Sequence, residues 1–235
     1  MKLLLGLLAL SATLFANEFY SKLYPIHSFE VKSSVSGIVD KIDKSYEKKF
    51  VKNARIIKID DYVDSIDLEQ SKVKLANLED ILKIQEDTYN SYKRVSSKSK
   101  IETDTQKVQV LNTSTNISDL KVKIANLKNI LKNKNITLEN VYLEEISVEV
   151  GDYVTPGTPL FKAYDLSSGK LEIYLPISNA KSYLDKTIYL NGEKTDLKIN
   201  KLSQVADSVH ISAYKAEIHI SNPTQFSKLI KIEFK

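Results

Sequence analysis

The stretch that decides the reading is Ile146-Ser147-Val148-Glu149-Val150-Gly151-Asp152-Tyr153-Val154-Thr155-Pro156-Gly157-Thr158-Pro159-Leu160-Phe161. Its β-branched and aliphatic residues come in short runs bounded by turn dipeptides, the pattern of short strands. Gly151-Asp152 and Pro156-Gly157 are those dipeptides: Gly supplies positive φ and Pro presets a turn. A fainter copy stands upstream. Val39-Asp40-Lys41-Ile42 answers Leu143-Glu144-Glu145-Ile146, and Val51 and Ile57 answer Val154 and Leu160 at equal separation. In that copy Lys48 takes the place of Gly151, and Ala54 the place of Gly157. A turn around Glu47-Lys48-Lys49 must therefore form without glycine.

Residues 62–138, between the two copies, repeat with a helical period. Leu68, Leu75, Leu82 and Tyr89 recur every heptad, with Ser71, Leu78, Gln85 and Tyr92 on the companion seam. A second series holds Val110, Ile117, Ile124, Leu131 and Leu138, with Thr113, Leu120 and Leu127 between. Two such seams predict a coiled coil. The polar stretch 96–104 separates them, so the helices are antiparallel neighbours, each roughly 50 Å long at 1.5 Å per residue. Thr103 with Gln106 fits a capping box. Lys121, Lys123, Lys128, Lys132 and Lys134 fall in an acid-free run and read as a solvated face. Two helices alone bury little, which predicts a partner surface or an oligomer.

Composition agrees with long elements. Residues 38–150 contain neither Gly nor Pro, the usual breakers. That excludes a TIM barrel or a Rossmann enzyme with its glycine-rich phosphate loop. Cys is absent, which removes disulfides, thiolate chemistry and a lipidated N-terminal Cys. The net charge of +4 on 235 residues is too mild to argue for nucleic acid. Met1 and Lys2 precede an apolar run ending near Ala16, shorter than a bilayer span and patterned as a signal peptide. Cleavage after Ala16 gives a periplasmic or extracellular chain; Leu14 is a poor fit at the cleavage motif, and an uncleaved anchor is the alternative.

Taken together these segments resemble the HlyD-like periplasmic adaptor (membrane fusion protein) family of tripartite efflux pumps. The second half-motif is similar to half of a biotinyl/lipoyl β-sandwich. Ser36-Gly37-Ile38-Val39 matches the family's entry to the first half, and Gly37, Gly151 and Gly157 are its structural turn residues. Asp165-Leu166-Ser167 followed by Leu171 to Leu175 matches the step into a β-barrel, and Ile218-His219-Ile220-Ser221-Asn222-Pro223 resembles a late barrel strand. The fold class implied is α+β: a long antiparallel α-helical coiled-coil hairpin inserted into a lipoyl-like β-sandwich, followed by a small β-barrel domain. The divisions implied are a signal peptide at 1–16, a strand joining the barrel at 17–29, and the first half-sandwich at 30–61. The hairpin follows at 62–138, the second half at 139–165 and the barrel at 166–235.

The resemblance also implies function. Such a chain bridges an inner-membrane transporter, RND-type in the leading reading and ABC-type in the alternative, and a TolC-like outer-membrane channel. It does so as a homo-oligomeric ring in the periplasm, without catalysis. The family's channel contact lies at the hairpin tip, where Ser99-Lys100-Ile101-Glu102-Thr103-Asp104 matches the start of its second helix. The family's Leu falls on Tyr92 and its Arg on Thr88, with Arg94 off register. Tyr92, Arg94, Val95, Ser99, Glu102 and Asp104 are thus the candidate contact residues; a plain helix cap is the competing role for Ser99 and Glu102.

Tests for chemistry point the same way. A lipoyl carrier needs a modified Lys at the joint that the helices occupy, and neither Asp-Lys-Ala nor Met-Lys-Met occurs. His27, His210 and His219 lack a second ligand at metal spacing. Asp207, Ser208 and His210 crowd too closely to orient one another as a triad. No catalytic, cofactor-binding or metal residue is expected. A secreted coiled-coil binding module is the reading from a different class.

Overall fold

The computed structural model describes residues 17–235; the expected signal peptide lies outside the described residues. β1 (Asn17–Lys22) and β2 (Tyr24–Lys32) come first, then β3 (Gly37–Ile42) and β4 (Lys49–Ile59). β4 leads into α1 (Tyr62–Arg94) and α2 (Lys100–Lys134), and β5 (Asn135–Ile146) leads out. β6 (Tyr153–Val154), β7 (Pro159–Pro176), β8 (Ile188–Leu190) and β9 (Glu193–Lys194) follow. β10 (Ile199–Leu202), β11 (Ala213–Ser221) and β12 (Leu229–Phe234) complete the order. The chain forms two units, a central one over residues 30–163 and a terminal one joining the residues up to 29 with 164–235.

In the central unit, β4 pairs antiparallel with β5 from Lys49↔Leu143 to Lys58↔Asn135, and β3 pairs with β4 and with β6. The two sequence copies meet in one core. Val51 and Val154, and Ile57 and Leu160, are all fully buried beside Val39, Ile59, Leu143 and Phe161. The second copy turns on Gly151 (φ +97°) and Gly157 (φ +96°), conformations that a β-branched residue tolerates poorly. Those turns clip onto the first copy: the Gly151 N–H donates to the Val39 carbonyl at 2.9 Å and the Gly157 N–H to the Ser33 carbonyl at 2.8 Å. Lys48 adopts φ +59° in the place of Gly151, so the glycine-free turn forms with a strained non-glycine residue. Ala54 has no turn to make, because β4 runs straight through it, paired with Leu138. Gly37 is required for a different reason, since a Cβ there would meet Ile59 Cγ2 at 2.6 Å.

The helices pack antiparallel along the predicted seam. On α2, Thr113, Ile117, Leu120, Ile124 and Leu127 are buried; on α1, Ser71 is buried and the other seam residues are half-buried. Ion pairs cross between them, Lys123 to Asp67 at 2.7 Å and Lys121 to Glu79 at 3.0 Å. Two expectations are corrected here. The helical series does not reach Leu138: α2 stops at Lys134, and Leu138 is buried in β5. The β-branched Ile136 and Thr137 favour a strand, and pairing with β4 overrides the heptad. Lys134 is not part of a solvated face. It is buried, and its ammonium donates to the Asp60 carbonyl at 2.7 Å and to the Asp64 carboxylate.

The terminal unit arranges β1-β12-β8-β9 in one order and β10-β11-β7 in another, with β2 also paired to β7. Alternation along the strands sends Leu171, Ile173 and Leu175 of β7, Ala216 and Ile218 of β11, and Ile230, Ile232 and Phe234 of β12 into one core. Phe19, Tyr183 and Phe234 meet edge-to-face there at 5.0–5.8 Å.

Gly157→Val is expected to destabilise the chain by about 1–2 kcal/mol, the cost of a positive φ on a non-glycine residue. Thermal melting followed by circular dichroism checks it; an unchanged midpoint contradicts the assignment of strain to this turn.

Candidate functional site

The candidate site is the reversal between the two helices, and local capping builds it. α1 ends at Arg94, and the N–H of its C-cap Val95 donates to the Tyr92 carbonyl at 3.4 Å. α2 begins at Lys100 because Ser99 holds an extended N-cap conformation and its hydroxyl accepts the Glu102 N–H at 3.2 Å. Glu102 reaches back and accepts the Ser99 N–H at 2.9 Å. This reciprocal pair is the capping box. It replaces the expected Thr103–Gln106 pair: with the helix started at Lys100, Thr103 lies inside the first turn and its hydroxyl donates to the Ser99 carbonyl at 3.2 Å.

Glu102 ties in a third residue. Its Oε1 accepts from the Lys98 ammonium at 3.0 Å, and that ammonium lies 4.5 Å from the centre of the Tyr92 ring. The Ser99 N–H first, then the Lys98 ammonium and the Ser99 hydroxyl, hold the Glu102 carboxyl down from 4.5 to about 2. The hydrogen bond to Glu102 raises Lys98 in turn. The structure therefore brings Tyr92, Ser99 and Glu102 together through Lys98. Val95 stands beside them at 49% exposure, while Arg94 and Asp104 are exposed outside this set of contacts.

Two residues escaped the sequence reading. Lys98 links the cluster, a role that only side-chain geometry reveals. Ile101 is 79% exposed on the first turn of α2. Its signal was readable: an apolar residue in a polar turn, off the heptad seam. A capped turn that presents Val95 and Ile101 between charged groups suits contact with a protein surface. The histidines lie elsewhere, His210 facing Asp207 at 3.1 Å and His219 facing Glu217 at 3.4 Å. Among the described residues no group of three or more His, Asp or Glu converges as a metal site.

No protein-family model matches the sequence, and no curated protein matches it. Solved structures do match. The membrane fusion protein Spr0693 from Streptococcus pneumoniae R6 superposes with a TM-score of 0.72 at 11% identity, covering 93% of this chain and 98% of that one. The chain has the fold of the membrane fusion proteins. A MacA-MexA chimeric protein containing the Pseudomonas aeruginosa MexA α-hairpin domain shares this fold at TM-score 0.67 and 16% identity, over 93% and 81% of the two chains. MacA from Actinobacillus actinomycetemcomitans shares it at 0.59 and 17%, over 93% and 78%. Within the membrane fusion protein fold, the capped reversal of this chain sits at the far end of the helical hairpin. No helix among the described residues is long and apolar enough to cross a membrane.

The cap sets a pH dependence. A depressed carboxyl stabilises the folded turn above the unfolded group's range near 4.5, and that contribution disappears as pH falls through about 2. A carbon-detected NMR titration of Glu102 is expected to show a midpoint near 2, moving up toward 4.5 in Ser99→Ala. A wild-type midpoint near 4.5 contradicts the cap network.

Proposed function

We propose that the chain is a non-catalytic periplasmic adaptor that links an inner-membrane exporter to a TolC-like outer-membrane channel. The observation that carries this reading is architectural. A two-helix arm, each helix over 30 residues long, leaves the β-unit through adjacent strands and returns to it, and its far end is a capped, surface-exposed turn. The likeness to membrane fusion protein structures over nearly the whole chain supports it. In this reading the hairpin is a coiled coil, the central β-unit a lipoyl-like sandwich and the terminal unit a small barrel. Tyr92, Arg94, Val95, Ser99, Glu102 and Asp104 form the channel-facing tip, joined by Ile101.

A second feature supports a homo-oligomeric ring. On α1, exposed Val63, Ile66, Val73, Ile81 and Ile84 fall on adjoining outward heptad positions, away from the seam. On α2, exposed Ile101, Val108, Leu111 and Val122 do the same. The two stripes lie on opposite flanks of the hairpin and differ in sequence. Contact between copies through them is therefore head-to-tail, the geometry that closes into rings. Exchange of many weak contacts between such rings gives avidity beyond any single one.

Transport in cells tests both parts. Tyr92→Asp and Val95→Asp are expected to cut efflux at least tenfold while leaving melting and assembly unchanged. Val73→Glu and Val108→Glu are expected to abolish cross-linking between copies. Full efflux in both tip variants, together with unchanged cross-linking in both stripe variants, contradicts the adaptor reading.

A further inference from the structure

One end of the terminal unit carries an apolar loop turned to solvent. Residues 203–212 join β10 to β11, and Val205, Val209 and Ile211 on them are 77%, 78% and 77% exposed. Holding three aliphatic side chains in water is unfavourable, and such a patch marks a contact surface. The loop is braced in this shape. The Ser203 N–H donates to the Lys215 carbonyl at 2.8 Å, and the Ser203 hydroxyl to the Val205 carbonyl at 2.6 Å. Asp207 accepts the N–H groups of Val209 at 2.9 Å and His210 at 2.6 Å, while the His210 ring stacks on Tyr174 at 3.4 Å. With Asp207 and His210 turned inward, the aliphatic residues are what the loop presents.

The surroundings say what it meets. The Ile177 N–H donates to the Ser212 carbonyl at 3.1 Å, so the loop stands at the C-terminal end of β7, beside exposed Ile177. β1 runs antiparallel along β7, since the Glu172 N–H donates to the Ser21 hydroxyl at 2.9 Å and Gly169 lies against Leu23. Asn17 therefore reaches this same end. Lys235 exchanges hydrogen bonds with Thr187 at 2.9 and 3.0 Å, next to the Asn17↔Phe234 pair. Exposed Lys181 follows Ile177 closely in the chain. Lys186 and Lys235 face the Tyr183 and Tyr189 rings at 4.9 and 4.4 Å rather than carboxylates. Asp185 is the exposed acid among them, Glu18 being paired with Lys231.

We propose that this end of the terminal unit docks on an anionic bilayer surface. Val205, Val209 and Ile211 enter the boundary between headgroups and acyl chains, and Lys181, Lys186 and Lys235 face lipid phosphates. Three features favour lipid over a protein partner. The loop projects outward, so it calls for a yielding medium rather than a matching pocket. Its apolar residues are aliphatic, whereas protein hot spots favour Trp, Tyr and Arg. Buried apolar area plus cationic attraction is the combination that holds a protein in an anionic interface. The sequence adds continuity: the apolar run before Asn17 joins the unit at this end, and an uncleaved leader would hold the same end against the bilayer. The proposal stands apart from the adaptor reading and needs neither exporter nor channel.

Vesicle sedimentation tests it on the chain from Asn17 onward, which holds both folded units. The chain is expected to sediment with vesicles of phosphatidylethanolamine and phosphatidylglycerol. Val205→Asn, Val209→Asn and Ile211→Asn combined should weaken this by roughly tenfold or more. Lys181→Gln with Lys186→Gln should weaken binding to those vesicles and leave any binding to phosphatidylcholine unchanged. If the triple variant melts early, the lysine pair carries the test. A wild-type chain that stays in the supernatant overturns the proposal, as do variants that sediment like wild type. Loss of an exporter contact in the triple variant without wild-type vesicle binding assigns the loop to a protein partner and also overturns it.

Discussion

The β4–β5 ladder is the constraint on which the rest depends. It brings Lys58 and Asn135 opposite each other, so α1 and α2 start from adjacent points and run side by side. Two helices of this polarity, with mean hydropathy −0.25 over the chain, bury too little to find one another unaided. Lys134 fastens the joint. Its ammonium gives up water for the Asp60 carbonyl and the Asp64 carboxylate at the root of α1. Beside it, burial tends to raise the Asp61 carboxyl, but hydrogen bonds from Lys58 and Asn135 outweigh burial and keep it below its ordinary value. The arm is thus held at its base by strands and charge, with the side chains of the last strand residues sealed beneath it.

From that root the packing thins outward. The buried seam residues of α2 all lie between Thr113 and Leu127, in its half nearer the β-unit. Farther out the seam turns polar: Gln85 and Gln106 meet with a 3.5 Å hydrogen bond, and the Gln85 Oε1 is buried without a partner. The outer half cannot rely on a core, so the reversal supplies its own order through Ser99, Glu102 and Lys98. A stiff base and a self-capped end suit an arm whose far tip engages a partner while its root stays fixed in a β-scaffold.

Much of this was legible in the chain. Heptads predicted the seam residue by residue, because a two-helix interface is a one-dimensional pattern. The paired half-motifs showed that Val51 with Val154 and Ile57 with Leu160 hold matching places, and all four share a core. What failed were boundaries decided by competition. Leu138 satisfies a heptad, yet it belongs to a strand because β4 offers a partner for it. Thr103 and Gln106 have the right spacing for a cap, yet Ser99 and Glu102 have it one turn earlier. Lys134 looked like one more surface lysine, since burial depends on the fold of Asp60 and Asp64 around it. The apolar loop at 203–212 carries no periodicity, and only its exposure makes it visible.

The central claim is that the hairpin tip meets an outer-membrane channel. A photo-cross-linking amino acid at position 95, in cells expressing the full chain, tests it most directly. The account predicts a specific adduct that fractionates with the outer membrane and contains a channel protein, lost when Tyr92 is changed to Asp. An adduct confined to inner-membrane or soluble proteins contradicts it.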